Sequence, residues 1–230
     1  MYEHEQTGTG PGPWPGSAGN YPEPSPPKPL CGALPPRGEA LTQEAAEYLV
    51  SRNLDPFLAL SVNGWYPAEI AGVARLVIPA TASDPKNRYW QARALRPDAA
   101  KRWESPHGVS RGDAVVLTWP RVWLKEVTKQ PQPIVCVEGP MDALAASGEG
   151  LMALAFMGAT PPEAALKFAA EIISPGHALL IMDADQPRAA VQLLEALVIA
   201  GVRCRLGTPY PWKDLAEATI KDRRRILCGD

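Results

Sequence analysis

From residue 133 onward the chain alternates short apolar runs with helix-forming stretches, and two of those runs stop abruptly at carboxylates. Ile134-Val135-Cys136-Val137 ends at Glu138, and Ala178-Leu179-Leu180-Ile181-Met182 ends at Asp183. Unbroken apolar runs of strand length are the pattern of strands buried on both faces, as in a parallel sheet covered by helices. The alternation predicts strands over 133–138, 151–156, 177–183 and 202–206, with helices over 140–147, 162–173 and 187–200 between them. Pro140 and Pro161-Pro162 stand where helices begin, and Gly201 where one ends. The expected fold class is α/β, with a four-stranded parallel sheet over 131–206 flanked by helices.

In such sheets ligands bind beyond the carboxyl ends of the strands, so Glu138, Asp142, Asp183 and Asp185 should meet in one crevice. Asp183 and Asp185 are two apart and project the same way if the strand continues through them. Carboxylates that close raise each other's proton affinity unless a cation neutralises them. A hard ion such as Mg2+ suits this donor set, because it is held by few carboxylates and keeps waters and positions for substrate phosphates. For Asp142, placed in the first turn of a helix, the helix dipole alone is an equally good reason for an acid.

The formal net charge of -2 argues against a generic polyanion binder, but the charge is unevenly placed. Between Arg75 and Lys129 there are 11 Lys/Arg against five Asp/Glu, whereas from Pro131 to the end nine basic residues face 12 acidic ones. A basic segment joined to an acidic metal-site candidate is what handling nucleic acid with metal requires. Cys31, Cys136, Cys204 and Cys228 are scattered without a C-x-x-C pair, so no zinc is expected. Neither a signal peptide nor a run approaching the roughly 20 apolar residues of a membrane span is present, which implies a cytoplasmic protein with no membrane partner.

Residues 1–38 hold ten of the 26 prolines and few aliphatics, the composition of a disordered tail. Thr42 is the expected N-cap of a helix through Asn53, with Asp55-Pro56 opening a short second one. Residues 74–79 and 88–95 read as two strands, followed by a basic loop over 101–108 and a short strand at 114–117. On the second strand Arg88, Trp90, Ala92 and Ala94 alternate with Tyr89, Gln91, Arg93 and Leu95, and neither face is cleanly apolar. That mixture fits a nucleic-acid surface and an edge strand equally.

The acidic motifs, Glu138-Gly139-x-x-Asp142-Ala143-Leu144 and Asp183-x-Asp185, resemble the two signatures of the Toprim domain of primases, topoisomerases and some nucleases. Arg75-Leu76-Val77-Ile78-Pro79, Gln91-Ala92-Arg93-Ala94-Leu95 and Lys101-x-x-x-Ser105-Pro106 resemble the basic subdomain preceding Toprim in bacterial and phage primase cores. Trp212-Lys213-Asp214-Leu215 is similar to the Lys-Asp motif after the last Toprim strand. The resemblance implies a tail (1–38), a basic subdomain (39–130), a Toprim domain (131–222) and a C-terminal end (223–230). It further implies DNA-templated synthesis of short RNA primers on single-stranded DNA from NTPs, serving a phage, plasmid or other mobile element. Glu138 would be catalytic, and Asp142, Asp183, Asp185 and Asp214 would hold Mg2+ or Mn2+; Arg75, Arg93, Lys101, Arg102 and Lys213 would hold nucleotide or DNA. Gln186-Pro187-Arg188 departs from the small residues that usually follow the second signature. With no G-x-x-x-x-G-K-[ST], unwinding would fall to a separate replicative helicase. A Toprim nuclease using the same metal, and a binding module without turnover, are the alternatives.

Overall fold

The computed structural model describes residues 35, 37–84, 86–121, 132–174 and 176–228. The expected tail up to Leu34, with Cys31, lies outside them. Two sheets organise the described chain. The first follows helix α1 (Thr42–Ser51) and a π-helical turn (Leu58–Val62), and is antiparallel in the order β1 (Tyr66–Ile70), β2 (Val73–Pro79), β3 (Trp90–Ala94), β4 (Trp103–Glu104). The second contains β5 (Val116–Thr118), β6 (Ile134–Val137), β7 (Ala153–Ala155), β8 (His177–Ile181) and β9 (Arg203–Gly207), ordered β5-β7-β6-β8-β9. Its helices are α2 (Pro140–Gly148), α3 (Glu163–Ile173) and α4 (Pro187–Ile199), and α5 (Ile220–Cys228) closes the chain.

The α/β class holds, with three local corrections. The second sheet has a fifth strand, since β5 pairs antiparallel with β7 at the edge of four parallel strands. Strand β1 escapes a pattern reading because Pro67 and Glu69 interrupt it, yet it forms a hairpin with β2 across Ala71-Gly72, both at positive φ. Thr42 is the first residue of α1 and not its cap, because a 3-10 turn over Glu39–Leu41 runs directly into the helix. Asp55 does open the next turn, its Oδ1 accepting the Phe57 and Leu58 N–H groups at 2.9 and 3.2 Å. Strand β3 lies inside its sheet, with Trp90 and Ala92 buried in a small cluster with Tyr66, Ala68 and Val77.

Side chains of the second sheet alternate between two cores, as the two-residue period of a strand requires. Cys136, Leu154, Leu180 and Met182 pack with α3 and α4 on one face. Val135, Val137, Ala153, Leu179 and Ile181 face the other core, which also takes in α2, α1 and the Leu76 and Ile78 side of β2. One apolar core thus joins both sheets. Helix α2 is buried from Pro140 through Ser147, as a helix apolar on nearly every side must be. Asn63 adds a polar tie, donating to Leu58 O and Trp119 O and accepting the Trp119 N–H. No helix among the described residues is long and apolar enough to cross a membrane.

Arg223 on α5 is 2% exposed and donates four hydrogen bonds to main-chain carbonyls: Leu215, Ala216, Asn53 and Arg52. It clasps the C-terminal helix, the loop before it and the end of α1 together. Arg223→Ala should lower unfolding free energy by about 3 kcal/mol, since it strands two buried carbonyls and two partly buried ones at once. Arg223→Lys should recover only part of this, because an ammonium lacks the planar fork. Urea titration of both variants checks it; a loss under about 1 kcal/mol for the alanine variant would contradict the clasp.

Candidate active site

Chain order dictates where a ligand can sit. From β6 the chain moves through α2 to β7 on one side, then crosses through α3 to β8 on the other side of β6. Helices α2 and α4, which follow β6 and β8, pack on opposite faces of the sheet. A crevice therefore opens between the carboxyl ends of β6 and β8, where Val137 pairs with Ile181. Glu138 and Asp183 emerge there, and a cavity of about 220 Å³ occupies the place, lined by Glu138, Asp142, Asp183 and Asp214.

Each acid is braced by main chain. Gly158 N–H donates to Glu138 O at 3.2 Å, and Ala216 N–H donates to Asp142 Oδ1 at 2.9 Å. Ala184 N–H donates to Lys213 O at 2.7 Å, and Asp214 Oδ1 accepts the Glu217 N–H at 2.8 Å. At the head of α2 a Cβ on Gly139 would lie 3.0 Å from Asp142 Oδ2, so any side chain there would crowd that carboxylate.

These carboxylates are compensated only in part. Burial and then the charge of Asp214 push Asp142 up to about 8, against the Ala216 N–H that opposes the shift. Asp183 rises to about 6 through burial and the charges of Glu138 and Asp214, with Lys213 opposing. Glu138 rises through burial and the charge of Asp185, and its Oε2 is buried with no hydrogen-bond partner. No ion pair joins these acids to a cation among the described residues.

Cations share this lining. Arg93 of β3, Arg102 just before β4, Arg52 at the end of α1, and Lys213 beside Asp214 line the same cavity, as does Trp103. The Arg93 guanidinium lies over the Trp103 ring, 5.2 Å from its centroid, and its Nε donates to Tyr48 Oη at 3.1 Å.

Of the residues picked from sequence, Glu138, Asp142, Asp183, Asp214, Arg93, Arg102 and Lys213 converge. Asp185 does not line the cavity: β8 ends at Ile181, a turn follows, and the side chain is exposed, though its charge still reaches Glu138. Arg75 is a correction as a phosphate ligand, being 3% exposed with Nη1 donating to Lys101 O. Lys101 points elsewhere too, its Nζ 2.8 Å from Glu104 Oε1. Arg188 is exposed at the start of α4, outside the lining. Sequence reading passed over Arg52 and Trp103. Arg52 closes a helix as any surface arginine can, whereas Trp103 adjoins Arg102 in a basic loop, a stacking signal that was there to be read.

No family model matches the chain, and no curated protein matches it in sequence. Among solved structures, the primase fragment of the bacteriophage T7 primase-helicase is similar at TM-score 0.58 and 18% identity, covering 90% of this chain and 81% of that one. The E. coli primase catalytic core matches at TM-score 0.58 and 14% identity, over 83% and 73%. The DnaG primase catalytic domain bound to single-stranded DNA matches at TM-score 0.53 and 15% identity, over 80% and 69%. The chain has the fold of these primase catalytic domains.

Stability should report the strained acids. Asp142 and Asp183 hold protons more tightly in the folded chain than in the unfolded one, where Asp titrates near about 3.9. The folded state then binds more protons between about pH 4 and pH 8, so stability in chelator-treated buffer falls as pH rises through that window. Asp142→Asn keeps an oxygen for the Ala216 N–H and removes the ionisation. The variant should melt higher than the parent at pH 8 and show a flatter Tm profile; an equally steep profile would contradict the assignment.

Proposed function

We propose that the chain is a primase-type nucleotidyltransferase, joining nucleotides on a single-stranded DNA template. The observation that carries this reading is a cavity lined both by acids from around the carboxyl ends of β6 and β8 and by arginines from β3, the residue before β4 and the end of α1. The fold shared with primase cores, one of them bound to single-stranded DNA, supports it.

The donor set fits Mg2+ or Mn2+, because Glu138 Oε2 is buried without a partner and the neighbouring acids are held above their ordinary range. Among the described residues no three acids, histidines or cysteines form a ready-made metal cage. Mg2+ needs none, being typically bound by one or two carboxylates with substrate phosphates. Asp183 and Asp214, with Asp142 behind them, would hold it. When bound, such an ion supplies neutralisation of the triphosphate and of the charge developing on the leaving pyrophosphate.

The protein's own groups have separate tasks. Glu138, with proton affinity raised by burial and Asp185, is suited to take the proton from the attacking 3′-hydroxyl. That oxygen bonds to the α-phosphorus of the incoming NTP as the bond to pyrophosphate breaks. Arg93, Arg102 and Lys213 meet the phosphate oxygens, the arginines in bidentate fashion. A separate replicative helicase would deliver the template.

Incubating the protein with single-stranded DNA, labelled NTPs and Mg2+ or Mn2+ should yield short de novo products. Asp183→Ala and Glu138→Gln should each abolish them while leaving single-stranded DNA binding in place. Shortened DNA instead of new strands would replace this reading with a nuclease, and retention without either product with a binding module. Changing Arg93 and Arg102 together to Ala should weaken single-stranded DNA binding and reduce its salt slope by about 0.7 per lost phosphate contact. An unchanged slope would place both outside the nucleic-acid path.

A further inference from the structure

Among the described residues Arg111 joins no ion pair, and it does not line the acid-lined cavity. It stands between β4 and β5, half-buried, and spends its guanidinium on main-chain carbonyls of the loop that follows β7. Nη1 donates to Phe156 O at 3.3 Å and Met157 O at 2.9 Å, and Nη2 to Thr160 O at 3.1 Å.

The N–H groups of that loop run the other way. Phe156 N–H donates to Val137 O at 3.1 Å, and Gly158 N–H to Glu138 O at 3.2 Å. The loop thus carries the bonding of β7 to β6 past Ala155 and up to Glu138. Met157 and Gly158 sit at φ 59 and 142, conformations that persist only where surrounding contacts impose them. Bonds to β6 hold one side of the loop, and Arg111 holds the other.

Arg111 is itself fastened to the first sheet. Its carbonyl accepts from Asn87 Nδ2 at 3.3 Å, and Asp113 accepts from the same amide at 3.2 Å and from Ser83 N–H at 2.8 Å. Thr81 and Val115 exchange both main-chain bonds, at 2.7 and 2.8 Å. The guanidinium therefore reaches from a segment tied to the β2–β3 loop to the loop that bonds the Glu138 main chain. That main chain matters because Glu138 Oε2 is buried with no hydrogen-bond partner, so the placement of that oxygen rests on the backbone behind it.

Resting on the primase reading, we propose that Arg111 is a positioning residue for Glu138. By clamping loop 156–160 it keeps Gly158 N–H on the Glu138 carbonyl and fixes the point from which the carboxylate reaches the 3′-hydroxyl. The requirement is for a planar fork that spans several carbonyls, which a lysine nitrogen does not supply.

Arg111→Met keeps the aliphatic stem and removes the donors, and Arg111→Lys keeps the charge. In R111M amide exchange at Gly158, followed by NMR, should accelerate about tenfold, as for the loss of one net hydrogen bond, while Leu179 and Leu180 inside the sheet keep their rates. In de novo synthesis kcat should fall about 10- to 100-fold, since a misplacement of about 1 Å can cost that much. KM for NTP and affinity for single-stranded DNA should stay within about twofold of the native values, and R111K should lie between the two proteins. Unchanged exchange at Gly158 would overturn the clamp, as would equal acceleration throughout the sheet, which would mean a general loss of stability. A raised KM with kcat kept would overturn it too, by placing Arg111 on the nucleotide. If the native chain makes no product under any condition, the primase reading falls, and the exchange rates alone confirm or overturn the clamp.

Discussion

Burial of helix α2 on nearly every side is the constraint on which the rest depends. A nine-residue helix buried from Pro140 to Ser147 has no solvent face and must be wrapped. The second sheet supplies one wall, and α1, the π-helical turn and the inner face of β2 complete the same core. Thr118 Oγ1 donates to Ala143 O and accepts from Ser147 Oγ at 2.7 Å, pinning the edge strand β5 to it. Glu138 precedes this helix directly and Asp142 lies in its first turn. The two acids are therefore placed by core packing, and a site mounted this way is held more tightly than one carried by a free loop.

The electrostatics run against local satisfaction. Buried polar atoms normally find partners, yet Glu138 Oε2 and Arg52 Nε are both buried without one, on residues that line the same cavity. Their charges are opposite, and still no ion pair forms between the acids and arginines of this cavity among the described residues. Had they paired, each would have been consumed by the other. Held apart, they stay free for a ligand that carries phosphate and brings a cation with it, and violations of this kind are expected where a fold gives up stability for function.

The parallel sheet was legible because its signal is local: an apolar run, a carboxylate, then a helix start. The acids Glu138 and Asp183 followed from the same runs. What escaped depends on non-local contacts. Strand β5 joins the second sheet by pairing with β7 across a long stretch of chain, which no window around Val116 could reveal. Arg75 alternates with apolar residues in the manner of a surface arginine, but its guanidinium meets the Lys101 carbonyl inside the fold. Periodicity reports which face a residue occupies and cannot say whether that face is later covered. The strand expected to run through Asp183 stops two residues earlier, at Ile181, for a similar reason, as the Ala184 N–H goes to Lys213 O and not to a neighbouring strand.

That last bond bears on how the acid set is assembled. It joins the turn after β8 to the loop that precedes α5; Asp185 is exposed on that turn, while Asp214, from that loop, lines the cavity with Asp183. The same loop donates the Ala216 N–H to Asp142, and its Leu215 and Ala216 carbonyls are gripped by Arg223. Arg223 also grips the Arg52 and Asn53 carbonyls at the end of α1. Acids and arginines from distant parts of the chain are thus registered against each other through one buried guanidinium that does not line the cavity. The loop that carries Asp214 and the end of α1 that carries Arg52 are accordingly held together from behind, by the C-terminal helix.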